Sequence, residues 1–158
     1  MITIVTGPEN SGKSAFLESW FDQNKQGLGA LSVKRYKRGV FCGYNLMQLP
    51  EKEIIPLNCL VNANDQIGPE TLINGPFIYY QASFLWVKDR LMPHIEPEME
   101  EPLWLDEIGK LELQKKGLAP ILRKALDAHC ELRFAVPDTL LDDILEEYKI
   151  EEAKIINL

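Results

Sequence analysis

Histidine and cysteine are scarce in this chain of 158 residues, and cations are outnumbered. The two histidines, His94 and His129, stand far apart, and the three cysteines, Cys42, Cys59 and Cys130, show no CxxC spacing and leave an odd count. That pattern excludes a zinc framework or a disulfide scaffold and suits reduced thiols, read as small buried hydrophobes. Lys and Arg number 17 against 24 Asp and Glu, a formal net charge of −7. Such a balance removes the broad cationic surface that general nucleic-acid binding needs, so any phosphate site has to be local. Long apolar runs are missing too. The most apolar later stretch, residues 77–87, is broken by Gln81 and closed by Lys88, Asp89 and Arg90. It falls short of the roughly 18 uninterrupted apolar residues of a membrane span. Met1 leads directly into apolar residues without a basic, then long apolar, leader pattern, so the expected location is cytoplasmic. No repeat or low-complexity tract interrupts the chain.

What the chain does have is 46% hydrophobic residues, enough for one continuous core, and residues 1–158 are expected to form one domain. Residues 2–6 are a β-branched run ending at Gly7, and residues 13–24 place Ala15, Phe16, Leu17, Trp20 and Phe21 at helical spacing. Gly27 and Gly29 mark the end of that helix. Residues 31–49 then alternate loosely, with Gly39 and Gly43 as turn or bulge positions, which predicts a small antiparallel meander. Residues 54–61 read as one further strand, pushed to a sheet edge by Pro56. Residues 62–75 have turn-forming composition and are expected to be the most mobile region, with a strand over 76–80 after them.

Helical spacing resumes from Ala82 to Pro93, with Phe84, Leu85, Val87, Leu91 and Met92 as its apolar positions, and residues 96–102 form an acidic, proline-bounded loop. Leu103, Trp104 and Leu105 are a short buried strand ending at Asp106. Helices over 119–128 and 139–148 then alternate with strands over 131–136 and 153–156. The alternation predicts an α/β fold of three layers, a mainly parallel sheet with helices on both faces and the meander as an insertion.

Two motifs carry chemistry. Gly7-Pro8-Glu9-Asn10-Ser11-Gly12-Lys13-Ser14 matches GxxxxGK[ST], the P-loop, between a strand and an amphipathic helix. Gly7 and Gly12 free the backbone so that successive N–H groups, through Ala15 at the helix start, converge on phosphate oxygens. Lys13 is placed to reach the β- and γ-phosphates, and Ser14 to offer its hydroxyl to Mg²⁺. Leu103-Trp104-Leu105-Asp106-Glu107 is an apolar strand ending in two acids, which brings a carboxylate beside the P-loop at the strand's C-terminal end. Asp106 is the expected metal-side carboxylate, and Glu107 the group that orients or deprotonates an attacking water.

The run Asp106-Glu107-Ile108-Gly109-Lys110-Leu111-Glu112-Leu113 resembles the extended acidic motif of the cancer-related nucleoside-triphosphatase family, also described as THEP-type P-loop NTPases. The resemblance extends through the P-loop, the pair Gly43-Tyr44, Pro56-Leu57 and Phe84. It implies Mg²⁺-dependent hydrolysis of ATP or GTP, with loose base preference, to the diphosphate and phosphate. It also gives Lys110 a place in the site as a charge-stabilising group. Two stretches depart from the family. Lys34-Arg35-Tyr36-Lys37-Arg38 stands where a Thr-Glu-rich opening is usual, and Val136-Pro137-Asp138 stands where relatives keep a basic residue. The cluster reads either as a cation source near the γ-phosphate or as an edge strand protected by charge. A kinase and a nucleotide-dependent binding switch are the competing functions. The scattered Arg123 and Arg133 lean against the arginine-bearing lid that a kinase needs.

Overall fold

The computed structural model describes residues 1–62, 68 and 70–158. Seven strands form the main sheet in the order β10-β1-β9-β8-β2-β3-β4: β1 (Ile2–Gly7), β2 (Leu28–Lys37), β3 (Val40–Leu49), β4 (Glu53–Pro56), β8 (Leu103–Leu105), β9 (Leu132–Pro137) and β10 (Lys154–Asn157). The five from β10 to β2 run parallel, and β3 and β4 add antiparallel at one edge. A second, antiparallel sheet orders β5 (Asn58–Leu60), β7 (Phe77–Tyr80) and β6 (Thr71–Asn74).

Helices cover both faces of the main sheet. Helix α1 (Lys13–Asn24) packs Leu17 and Phe21 against Val5, Leu31, Leu49, Trp104 and Ala135. On the other face lie α2 (Gln81–Leu91), α3 (Lys110–Leu113), α4 (Ala119–Asp127) and α5 (Leu141–Glu147), against Ile4, Ala30, Leu103, Leu105, Phe134 and Val136. The three-layer α/β expectation is met. Strand β8 is buried on both faces, which is why it is three apolar residues in a row rather than an alternating pattern. Each of its leucines contributes roughly 2 kcal/mol by leaving water. Trp104 faces α1, edge-on to Trp20 and Phe21 at ring separations of 5.2 and 5.8 Å, and its Nε1 donates to Gln26 O at 2.9 Å.

Four sequence expectations are corrected. Gly29 does not end a helix but lies inside β2, where a Cβ would come within 2.3 Å of Trp104 O. That glycine is the clearance two neighbouring strands need around a tryptophan. The single strand expected over 54–61 is divided between two sheets: Leu57 separates β4 from β5, its N–H donating to Tyr44 O. The turn-rich stretch 62–75 contains β6, while its residues 63–67 and 69 lie outside the described residues. Of the cysteines only Cys130 is buried, and Cys42 and Cys59 are half-buried.

Candidate functional site

Strand β1 ends at Gly7, whose φ of 154° is outside the range side chains favour. A Cβ there would meet Ser11 Oγ at 2.7 Å and Leu158 O at 2.8 Å, so the loop closes tightly only because residue 7 is glycine. Asn10 (φ 59°) and Gly12 (φ 91°) turn the chain again, and the Phe16 N–H bonds Gly12 O at 2.9 Å to start α1. The first turn of α1 carries no acid, which leaves its N–H groups and dipole as an anion-attracting end. The Lys13 ammonium lies back over the loop, donating to Gly7 O at 3.0 Å and Pro8 O at 2.7 Å. Pro8, Glu9, Asn10, Gly12 and Ala15 are exposed, whereas Ser11, Lys13 and Ser14 are half-buried. Ser11 Oγ is buried without a hydrogen-bond partner among the described residues. An unused hydroxyl in a cradle of backbone donors fits a phosphate ligand.

One strand, β9, separates β1 from β8, so the residues after β8 reach the same sheet edge as the loop. The Asp106 N–H bonds Ala30 O at 2.9 Å and the Ile108 N–H bonds Ala135 O at 3.0 Å, pinning the turn to the strands on either side. Asp106 is 3% exposed. Its carboxylate accepts from the Ser32 N–H at 3.1 Å and from the Glu107 N–H at 2.9 Å, and the Ser14 hydroxyl hydrogen-bonds it across from the loop. Burial raises its pKa while these three donors oppose the rise. Ser14 and Asp106, a hydroxyl and a carboxylate brought together across the loop, fit Mg²⁺, which is held by few protein ligands and keeps water and phosphate oxygens for the rest of its shell. Among the described residues no group of three His, Cys, Asp or Glu side chains forms an all-protein cage.

Glu107 adopts φ 56°, a left-handed conformation rare for a glutamate and common where a fold re-aims a functional side chain. Burial, then Asp106, then Glu112 push its pKa up to about 8, while the hydroxyls of Ser32 and Tyr79 hydrogen-bond its carboxyl. Lys110 is exposed at the first position of α3, three residues beyond Glu107. Its neighbour in the motif, Glu112, is 2% exposed and accepts from Gly109 N at 2.8 Å and Leu118 N at 2.9 Å. Glu112 therefore braces the turn that carries Glu107.

Two contributors, Ser32 and Tyr79, escaped sequence reading, and two more, Tyr44 and Glu112, stood in the resembling stretches without an assigned role. The signal for Ser32 was one polar residue between apolar neighbours in β2, and for Glu112 an acid on the inward side of a short helix. Tyr79 gave no signal, because it enters through the packing of the second sheet, and Tyr44 was marked only by its place in the Gly43-Tyr44 pair, now seen on β3. Burial raises the Tyr44 hydroxyl's pKa, followed by the charges of Glu107, Asp106 and Glu9, so this ring looks onto the site from β3.

The sheet order, the loop between β1 and α1 and the acids after β8 define a P-loop NTPase fold. No family model matches the chain, and no curated protein matches it in sequence. Two solved structures share the fold over almost the whole chain. THEP1 from the hyperthermophile Aquifex aeolicus aligns with 100% of this chain and 90% of its own, at TM-score 0.74 and 18% identity. A human cancer-related nucleoside triphosphatase aligns with 99% of this chain and 88% of its own, at TM-score 0.75 and 18% identity.

Proposed function

We propose that the chain is a Mg²⁺-dependent nucleoside-triphosphatase acting on ATP or GTP with loose base preference. The observation that carries this reading is the meeting at one sheet edge of a P-loop lysine and serine with a buried aspartate and a glutamate held in the left-handed conformation. The backbone N–H groups of residues 9–15 and the Lys13 ammonium hold the phosphates, with Gly7 and Pro8 shaping the loop that presents them. Ser14 and Asp106 hold Mg²⁺, which when bound neutralises the charge of the phosphate oxygens. Glu107 orients water and takes its proton; the charge of Asp106, one of the causes that push the Glu107 pKa up to about 8, is offset with Mg²⁺ bound there, which favours the carboxylate that a base requires. Lys110, exposed at the start of α3 three residues after Glu107, supplies positive charge to the transferred phosphoryl group. The fold shared with a nucleoside triphosphatase supports the same reaction class.

The test is phosphate release from ATP, GTP, CTP and UTP with and without Mg²⁺, on the wild type, Lys13→Ala and Glu107→Gln. Metal-dependent release, lost in both variants, supports the reading. Lys13-dependent triphosphate binding without phosphate release overturns it and leaves the kinase or binding switch in its place.

A further inference from the structure

Strands β2 and β3 continue past the sheet that supports them. Strand β8 pairs with β2 only as far as Ala30, and β4 pairs with β3 only from Asn45 onward. Residues 31–37 and 40–44 thus form a two-stranded arm, closed by the two-residue turn Arg38-Gly39 with φ 51° and 75°. Both angles are positive, as a type I′ hairpin turn demands, and Arg38 occupies a position where Asn, Asp or Gly is ordinarily placed.

The arm's chemistry differs from the rest of the molecule. In a chain of net charge −7, it carries Lys34, Arg35, Lys37 and Arg38, and residues 28–49 contain no acid at all. Arg35 turns inward and donates to Asn58 O. Lys34, Lys37 and Arg38 are exposed, and none makes an ion pair among the described residues. Between them Tyr36 is 58% exposed and Val40 67%. The pairing register slips between Arg35 and Tyr36, leaving Cys42 as the extra residue. Phe41 and Tyr44, three apart, would face opposite sides of a regular strand; the bulge brings their rings to 5.3 Å. Phe41 also meets Tyr36 edge-on at 6.1 Å, so Tyr36, Phe41 and Tyr44 make one aromatic row that ends beside Glu107 and Asp106.

The geometry points to this arm as a binding surface for single-stranded nucleic acid, whose phosphates meet Lys34, Lys37 and Arg38 and whose unpaired bases stack on the Tyr36–Phe41 rings. Base stacking needs an accessible ring face next to backbone-neutralising cations, and the arm offers both. Charge alone would equally suit an acidic protein, but exposed rings interleaved with the cations favour bases. The site is local, which agrees with an overall charge unsuited to duplex binding along a broad surface.

The experiment is fluorescence anisotropy of a labelled oligo-dT or oligo-U strand of about 12 nucleotides, titrated with the full chain without added nucleotide, so that its result is independent of triphosphate hydrolysis. Comparators are a duplex of equal length and poly-glutamate. Micromolar binding of the single strands with a log–log salt slope of about −2, as three phosphate contacts give, is expected. Tyr36→Ala should weaken binding about tenfold with little change of slope, and the pair Lys37→Glu and Arg38→Glu should abolish it. All these positions are exposed, and unchanged thermal melting shows the variants folded. No binding, equal binding of duplex or poly-glutamate, or retained binding in the folded variants overturns the proposal.

Discussion

The backbone N–H of Ser32 on β2 donates to Asp106 Oδ2 at 3.1 Å, while Asp106 Oδ1 takes the N–H of Glu107 at 2.9 Å. Two backbone donors from different segments fix the plane of one carboxylate, which leaves its remaining lone pairs toward Ser14. An amide in its place cannot accept at both oxygens. Asp106→Asn turns an N–H₂ toward one of these donors and removes the anionic ligand. The Mg²⁺ concentration giving half-maximal phosphate release is therefore expected to rise at least about tenfold, consistent with losing a positioned metal ligand. A metal titration of both proteins at saturating ATP checks it, and an unchanged midpoint removes Asp106 from the metal's shell.

Glu107 and Lys110 separate two roles. Glu107→Gln keeps volume and most hydrogen bonds but cannot take a proton, so turnover should fall by about 10² to 10⁴ while triphosphate affinity stays within a few fold. Lys110→Ala leaves the base intact. Its expected effect is a fall in kcat of about tenfold, with a triphosphate affinity close to that of the wild type. Single-turnover rates beside equilibrium binding distinguish the two, and a Lys110→Ala enzyme with full kcat assigns that lysine to the surface.

The P-loop was legible because its glycines and lysine answer to local geometry: a strand must turn, and the backbone must come within reach of phosphate. Strand β8 was legible for a related reason, three apolar residues running into two acids. Local pattern failed where another element decides. Nothing around Gly29 tells that Trp104 lies on the next strand, and residues 54–61 hold no mark of leaving one sheet for another at Leu57. Leu85 fits the helical period of α2, yet it is 55% exposed. Tyr79 reaches Glu107 only because the second sheet folds against the first, a long-range fact that periodicity does not carry.

The same long-range packing makes Gly43 a sensitive position. Its φ is 146°, and a Cβ would lie 2.4 Å from Asn58 O and 2.9 Å from Asn58 Oδ1. Asn58 is fully buried, holding Tyr44 N at 2.8 Å and receiving Arg35, so it has nowhere to retreat. Gly43→Ala combines backbone strain with the displacement of a buried hydrogen-bonded asparagine and should cost about 2 kcal/mol or more. Gly39→Ala, also at positive φ but in open space, should cost only about 1 kcal/mol. Urea unfolding of the pair measures the difference, and equal losses would mean that Asn58 yields freely.

Glu112 ties the stability of the site to pH. Burial pushes its pKa from 4.5 up to about 7, against the two backbone N–H groups that favour the carboxylate. The folded state therefore holds this proton more tightly than the unfolded chain does. Stability from this group is fully present below about pH 4.5, declines as the unfolded chain ionises, and is lost once pH passes about 7. A shift of that size corresponds to about 3 kcal/mol at most between the two ends of the window. Glu112→Gln cannot titrate, and its amide can accept only one of the two N–H groups now bound by the carboxylate. The variant should be less stable near pH 5, by about 1 to 3 kcal/mol for the lost bond, and should show a smaller decline between pH 4.5 and 7 than the wild type. Unfolding free energies of both proteins across pH 4.5 to 7.5 test this directly. Parallel curves would mean that Glu112 is already ionised throughout, with its two N–H partners outweighing burial.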